Sequence, residues 1–236
     1  MPALNFPNSP TLNQIHTENG RSLKWDGVSW NAVDSATIAA SALTGTTLAS
    51  GVTASSLTSV GTLSSLTVSG NVTVDTNTLF VDATNDRVGI RTTSPAHALH
   101  NAGTTYLKEI IERATVSATA ATGTIAYDVL TQAVLFYTTN ASANWTLNLR
   151  GSSTVSMNTL LAVGDSMTMT FIARQGGTAY YPTGHQIDGT SVTVSWQGGT
   201  APTAGNANSL DVYTYTVIKT AATPTYTVLG SQTRFA

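Results

Sequence analysis

Short runs of alternating apolar and polar residues, each closed by a turn-forming pair, recur along most of this chain. Near its start Arg21–Trp25 alternates into Asp26-Gly27, Val28–Trp30 returns from that turn, and Glu18-Asn19-Gly20 makes a turn before it. Asn-Gly and Asp-Gly between alternating residues are the strongest short-range hairpin signals, because the tight hairpin turn needs positive φ at its centre. The pattern predicts a small β-meander over residues 1–33, with Trp25 and Trp30 placed to pack across the second turn. A meander of that size must dock on something to be stable. A second hairpin is predicted in Leu79–Ile90 around Thr84-Asn85-Asp86, followed by an extended exit at Thr92–Ala96 that contains Ser94-Pro95.

The pattern changes between these two hairpins. From Ser35 to Val74 there is no charged and no aromatic residue, and the apolar anchors from Leu43 onward are Leu43, Leu48, Val52, Leu57, Val60, Leu63, Leu66, Val68, Val72 and Val74. Their spacing fits neither a helix nor one regular strand. A single copy with so few apolar residues cannot offset the entropy of ordering them. Two readings follow: a flexible low-complexity linker, or an intertwined β-fibre shaft whose copies bury the anchors, Leu43, Leu48, Val52, Leu57, Leu63 and Leu66 among them, in a common trimer core. The uninterrupted anchors and the absence of charge favour the shaft.

From residue 104 onward the alternation predicts strands at Ala114–Ala120, Gly123–Asp128, Ala133–Thr138, Trp145–Arg150, Asp165–Arg174, Thr178–Tyr181, Ser191–Trp196, Ser209–Thr220 and Thr225–Thr233. Turn signals such as Gly176-Gly177, Asp188-Gly189, Gly198-Gly199 and Thr223-Pro224 separate them. Tyr106–Arg113 is the one helix-compatible stretch and reads as a strand or a short helix. Short strands at this spacing predict a β-sandwich or jelly roll. The expected fold is therefore all-β in three parts: a meander over 1–33, a low-charge shaft over 34–103 and a sandwich head over 104–236.

Composition sharpens this. Only 9% of the 236 residues are charged, and 43 threonines and 23 serines keep the surface hydrophilic instead. Soluble domains usually carry about 25% charge, and threonine favours strands. A net charge of -2 without a basic cluster removes the electrostatic case for nucleic acid or an anionic membrane. No stretch suggests membrane insertion. The start, MPALNFPNSP, has no signal-peptide character. The absence of cysteine excludes disulfides and thiolate metal sites.

Catalytic signals are sparse. No P-loop, dinucleotide glycine motif or HExxH occurs. Gly164-Asp165-Ser166-Met167 reads as a turn leading into a strand rather than a nucleophile elbow. Asp128, Asp165, Asp188 and Asp211 stand at or near predicted turns or strand ends, with no reason to pair as a glycosidase would require. His97 and His100 are read as loop residues rather than metal ligands. The expectation is a non-enzyme with no cofactor and no metal. Aromatics are the better lead for binding: Tyr180, Tyr181 and Trp196 are the candidate ligand contacts, whereas Tyr213 and Tyr215 alternate along one strand and read as core.

The segment Val52–Ile90 resembles the shaft segments of tailed-phage fibre and tailspike proteins. Their Val-Gly-Ile-Gly-Thr-Thr-Ser-Pro signature stands here as Val88-Gly89-Ile90-Arg91-Thr92-Thr93-Ser94-Pro95, with Arg91 in place of the family's glycine. Asn144–Gly151, Thr178–Tyr181, Trp196–Gly199 and Tyr226–Thr233 resemble a C-terminal domain of marine, cyanophage-type virion proteins, and the first zone resembles an N-terminal phage-fibre module. The resemblance implies a homotrimeric virion fibre, assembled in the host cytoplasm. It would be held to a tail or capsid protein through residues 1–33 and would carry a head for host-surface glycan. A head fibre or capsid decoration protein, or a tail-borne depolymerase, are the alternatives.

Overall fold

The computed structural model describes residues 5–19, 21–33 and 62–236, so the anchors Leu43, Leu48, Val52 and Leu57 lie outside the described residues. The chain divides into two compact units, Met1–His100 and Asn101–Ala236.

In the first unit β1 (Ile15–Glu18), β2 (Arg21–Trp25) and β3 (Trp30–Ala32) form the antiparallel meander that the turn pairs encode. Trp25 and Trp30 are cross-strand partners with ring centroids 5.6 Å apart, and Phe6 stacks on Trp30 at 5.3 Å. The Asp26 carboxylate closes the second turn by accepting the backbone N–H groups of Ser29 (2.7 Å) and Val28 (2.8 Å). The Ser29 bond is the main reason its pKa falls to about 2.

A second sheet, ordered β4 (Val72–Val74), β5 (Leu79–Asp82), β6 (Arg87–Ile90) and β7 (Leu99–Asn101), contains the predicted 79–90 hairpin with one strand added on each side. The Val88–Pro95 segment has a local physical basis here. Gly89 is buried, and a Cβ there would run into the carbonyl oxygen of Thr92. Arg91 sits at φ +60°, the left-handed region that suits glycine. Leu63 and Leu66 belong to no strand and are 51% and 71% exposed.

The second unit is wound between two sheets. Its strands are β8 (Ala114–Ala120), β9 (Gly123–Asp128), β10 (Val134–Thr139), β11 (Trp145–Arg150), β12 (Ser166–Arg174), β13 (Pro182–Ile187), β14 (Thr190–Ser191), β15 (Val194–Trp196), β16 (Leu210–Ala221) and β17 (Thr225–Phe235). Up to β13, successive strands alternate between sheets: β8, β10 and β12 run parallel in one, β9, β11 and β13 in the other. The remaining strands complete a six-stranded sheet, β15-β17-β16-β12-β10-β8, and a four-stranded sheet, β14-β13-β11-β9. The sheets pack face to face. Trp145 from the smaller sheet meets Phe171 and Tyr213 of the larger one at centroid distances of 5.7 and 5.9 Å, and all three are essentially fully buried. A sandwich results, although its many parallel pairs set it apart from a jelly roll.

Four local expectations change. Ser191–Trp196 is not one strand: Ser191 ends β14 in the four-stranded sheet, and Val194–Trp196 form β15 in the six-stranded one. Thr178–Tyr181 is no strand; the strand begins at Pro182. The Gln175 side chain takes the place of a neighbouring strand, its Oε1 accepting Tyr180 N–H (3.0 Å) and its Nε2 donating to Tyr180 C=O (2.8 Å). Residues 106–113 are neither strand nor helix, and all of them are exposed. A short helix not anticipated, α1 (Met157–Leu160), is capped by Ser156, whose Oγ accepts Thr159 N–H at 3.0 Å. The buried Lys219 ammonium donates to the carbonyls of Asn158 (2.9 Å) and Leu161 (2.7 Å) at the other end.

Candidate functional site

Strand β15 lies parallel to β17 at the edge of the six-stranded sheet, and Val194 points into the core. Alternation puts Trp196 on the same side, at the rim. Its ring lies against the backbone of Gly230; a Cβ there would come within 3.1 Å of ring atom Cζ3 and 2.6 Å of Val194 Cγ1. Glycine is what lets the indole approach so closely. The ring also makes edge contacts with His185 (5.4 Å) and Tyr215 (6.0 Å), whose own polar atoms, Nε2 and OH, are 2.9 Å apart.

Burial sets the charge of this cluster. It lowers the His185 pKa to about 4 and raises that of the Tyr215 hydroxyl well above its ordinary value. At neutral pH both are uncharged, so Trp196 stands on a neutral aromatic base. On the outer face of the sheet, across the backbone of Trp196 and Gly230 from the ring, lies a groove of about 380 Å³. Leu229 gives it apolar surface, while Ser195, Gln197, Thr214, Thr216 and Ser231 supply hydroxyls and an amide. No charged side chain lines this groove. Neutral hydroxyl and amide groups around one apolar side chain suit a neutral polyhydroxylated ligand, and the Trp196 ring, packed inward, supports the strand that carries the groove rather than stacking on a ligand.

The three predicted contact residues are not brought together, for neither tyrosine lines the groove beside Trp196. Tyr180 is half-buried against the core. Its backbone belongs to a polar clasp in which the fully buried Asp211 carboxylate accepts Gln175 Nε2 (3.0 Å), Asn206 N–H (2.9 Å) and Asn206 Nδ2 (2.5 Å). Tyr181 donates its N–H to Asn144 Oδ1 at 3.1 Å. Tyr213 and Tyr215 are fully buried core residues, as their alternation predicts.

The acidic residues considered for hydrolysis are each tied to structure. Asp128 pairs with Arg150 at 2.5 Å. Asp165 accepts Ala162 N–H (2.8 Å) in its turn, and Asp188 accepts Met157 N–H (2.9 Å) at the start of α1. Among the described residues no group of three His, Cys, Asp or Glu side chains is placed to hold a metal. His100 accepts the N–H of Ala96 at 3.2 Å within its loop. Among the described residues no helix is long and apolar enough to cross a membrane. In the sequence, Gly230 and His185 carry the only marks of this setting: a glycine inside a strand, where the indole lies close, and a lone histidine inside another.

No family model matches the chain, and no curated protein or solved structure matches it.

Proposed function

We propose that this chain is a homotrimeric structural fibre of a phage virion, joined to a tail or capsid protein through residues 1–33 and presenting its second unit for adhesion to host-surface glycan. The observation that supports it most is the fate of the anchors: Leu63, Leu66 and Val68 are 51%, 71% and 47% exposed in the single chain. Apolar residues recurring on an uncharged segment and left open by their own chain are suited to burial against other copies. The resemblance at Val88–Pro95, where Gly89 and position 91 have the backbone reasons given above, points the same way. The neutral groove beside Trp196 supplies an adhesive contact without enzymatic chemistry. Three heads on one fibre would strengthen weak contacts by roughly 10²–10⁴ through multivalency.

Light scattering on the purified full chain tests the reading. The expected mass is three times 24.5 kDa. A folded monomer refutes it, because the anchors would then have nothing to bury against.

A further inference from the structure

The ten residues before Arg113 are the least integrated part of the second unit. Every residue from Ala102 to Ala114 is exposed, and residues 104–113 adopt no regular structure. Among the described residues no hydrogen bond holds residues 106–112 to the rest of the chain; pairing resumes at Arg113, whose carbonyl accepts Ala133 N–H at 2.9 Å. Yet this stretch carries four large apolar side chains, with Tyr106 94%, Leu107 59%, Ile110 65% and Ile111 93% exposed.

The order of residues gives these side chains a purpose. On a helix, at 100° per residue, Tyr106, Ile110, Leu107 and Ile111 fall within one arc of about 140°. Lys108, Glu112, Glu109 and Arg113 fill the opposite arc of about the same width. The segregation is complete over eight residues. The two i, i+4 pairs, Lys108–Glu112 and Glu109–Arg113, join opposite charges, which supports a helix. The chain has 22 charged residues, so four in eight positions is a local concentration in a protein that otherwise avoids charge. A helix this short is unstable alone in water, which accounts for its irregular form in the single chain.

We infer that Tyr106–Arg113 folds as a helix when copies of this chain associate, and that the Tyr106, Leu107, Ile110 and Ile111 face packs against the same face of the other copies. The inference rests on the homotrimer reading and says where the second units grip one another. The occupant is another copy for two reasons. The charged arc has two positive and two negative groups, so identical segments do not repel. A second apolar row also begins three residues further along the chain. Val116, 65% exposed on edge strand β8, stands in a row with Phe136, Ile172 and Val212 on the outer side of the six-stranded sheet. A membrane is a poorer occupant, since the charged arc has no net positive charge.

Three measurements on the full chain test this: mass by light scattering, amide hydrogen exchange over residues 104–113, and both repeated for Ile110→Asp/Ile111→Asp with Thr124→Asp as the control. Both isoleucines are exposed in the single chain, so the double variant should keep the β-rich circular dichroism of the wild type. The expected result is a trimer with protected amides at 107–111. In the double variant that protection is lost, and the concentration for half-association rises on the order of 100-fold or more; the control changes neither. A trimer whose 107–111 amides exchange freely, or whose mass is untouched by the double variant, overturns the inference and leaves the fibre reading standing. A wild-type monomer overturns both.

Discussion

Acidification should weaken the second unit through one residue, His185. Its imidazole is packed between Trp196 and Tyr215, and burial brings its pKa from the ordinary 6.5 to about 4. In the unfolded chain it titrates near 6.5. Between pH 6.5 and 4 the unfolded chain therefore binds the proton and the folded one does not, so stability falls as pH is lowered through this window. Above pH 6.5 nothing is lost. At about 1.4 kcal/mol for each tenfold change in proton affinity, the full loss is about 3 kcal/mol, most of it present by pH 4.5. That is a large part of the roughly 5–15 kcal/mol that holds a typical domain. The assay is urea unfolding at a series of pH values between 7.5 and 4.5, for the wild type and His185→Gln, whose amide can still meet the Tyr215 hydroxyl. Other groups titrate alike in both proteins, including the carboxylates of Glu18, Asp26 and Asp82, whose pKa values lie below the usual range. The difference between the two curves isolates His185. Parallel curves would refute the reasoning, since they would mean that His185 is protonated as readily in the folded chain as in the unfolded one.

Four further outcomes are expected. Gly230→Ala should cost about 1–3 kcal/mol by overpacking against Val194 and the Trp196 ring, measured by denaturant unfolding with a shifted tryptophan emission. Asp211→Ala removes the acceptor shared by Gln175 and Asn206, and with about 1–3 kcal/mol for each donor left unpaired it should lower the thermal midpoint more than Gly230→Ala does. Arg91→Gly should change stability by less than about 1 kcal/mol, because relief of the positive φ offsets the extra freedom of the unfolded glycine; a larger loss would show that Arg91 is held by side-chain contacts rather than merely tolerated. Leu229→Asp, at an exposed groove position, should leave the circular dichroism of the fold unchanged while weakening retention on neutral host-surface oligosaccharide by about tenfold or more; undiminished retention would move the adhesive surface elsewhere.

Strand positions were legible in this sequence, and strand partners were not. Ala114–Ala120, Gly123–Asp128 and Trp145–Arg150 are strands over the residues that alternation marks. The Asp188-Gly189 pair, at φ +51° and +79°, makes the tight turn between β13 and β14 that its residues encode. Thr178–Tyr181 alternates like a strand, and alternation cannot reveal that the Gln175 side chain satisfies the Tyr180 backbone. Only the Ser156 cap marks the short helix α1, and one cap before a four-residue turn is a weak signal. At the candidate site, Trp196 could be singled out as an aromatic near a strand end. Its setting could not, because Gly230, His185 and Tyr215 reach it from β17, β13 and β16.

Why partners stayed hidden follows from how the chain turns its corners. Two residues, Ala121 and Thr122, separate β8 from β9. A link of two residues normally signals a hairpin, with both strands neighbours in one sheet. Here it carries the chain from one sheet to the other, so β8 pairs with β10 and β9 with β11. The corner works because Ala121 is small enough to be fully buried between the layers and Gly123 takes φ +60°. Successive corners then stack. Ser142 donates its N–H to Ala121 C=O at 3.1 Å, and Ala141, also buried, donates to Arg174 C=O at 2.8 Å. The backbone groups that a buried turn would leave unpaired are thus satisfied by the next coil. A corner of this kind differs from a hairpin only in which way the second strand leaves. That choice depends on Tyr127, Leu147 and Phe171 finding one another in the core, and no local pattern of residues encodes it.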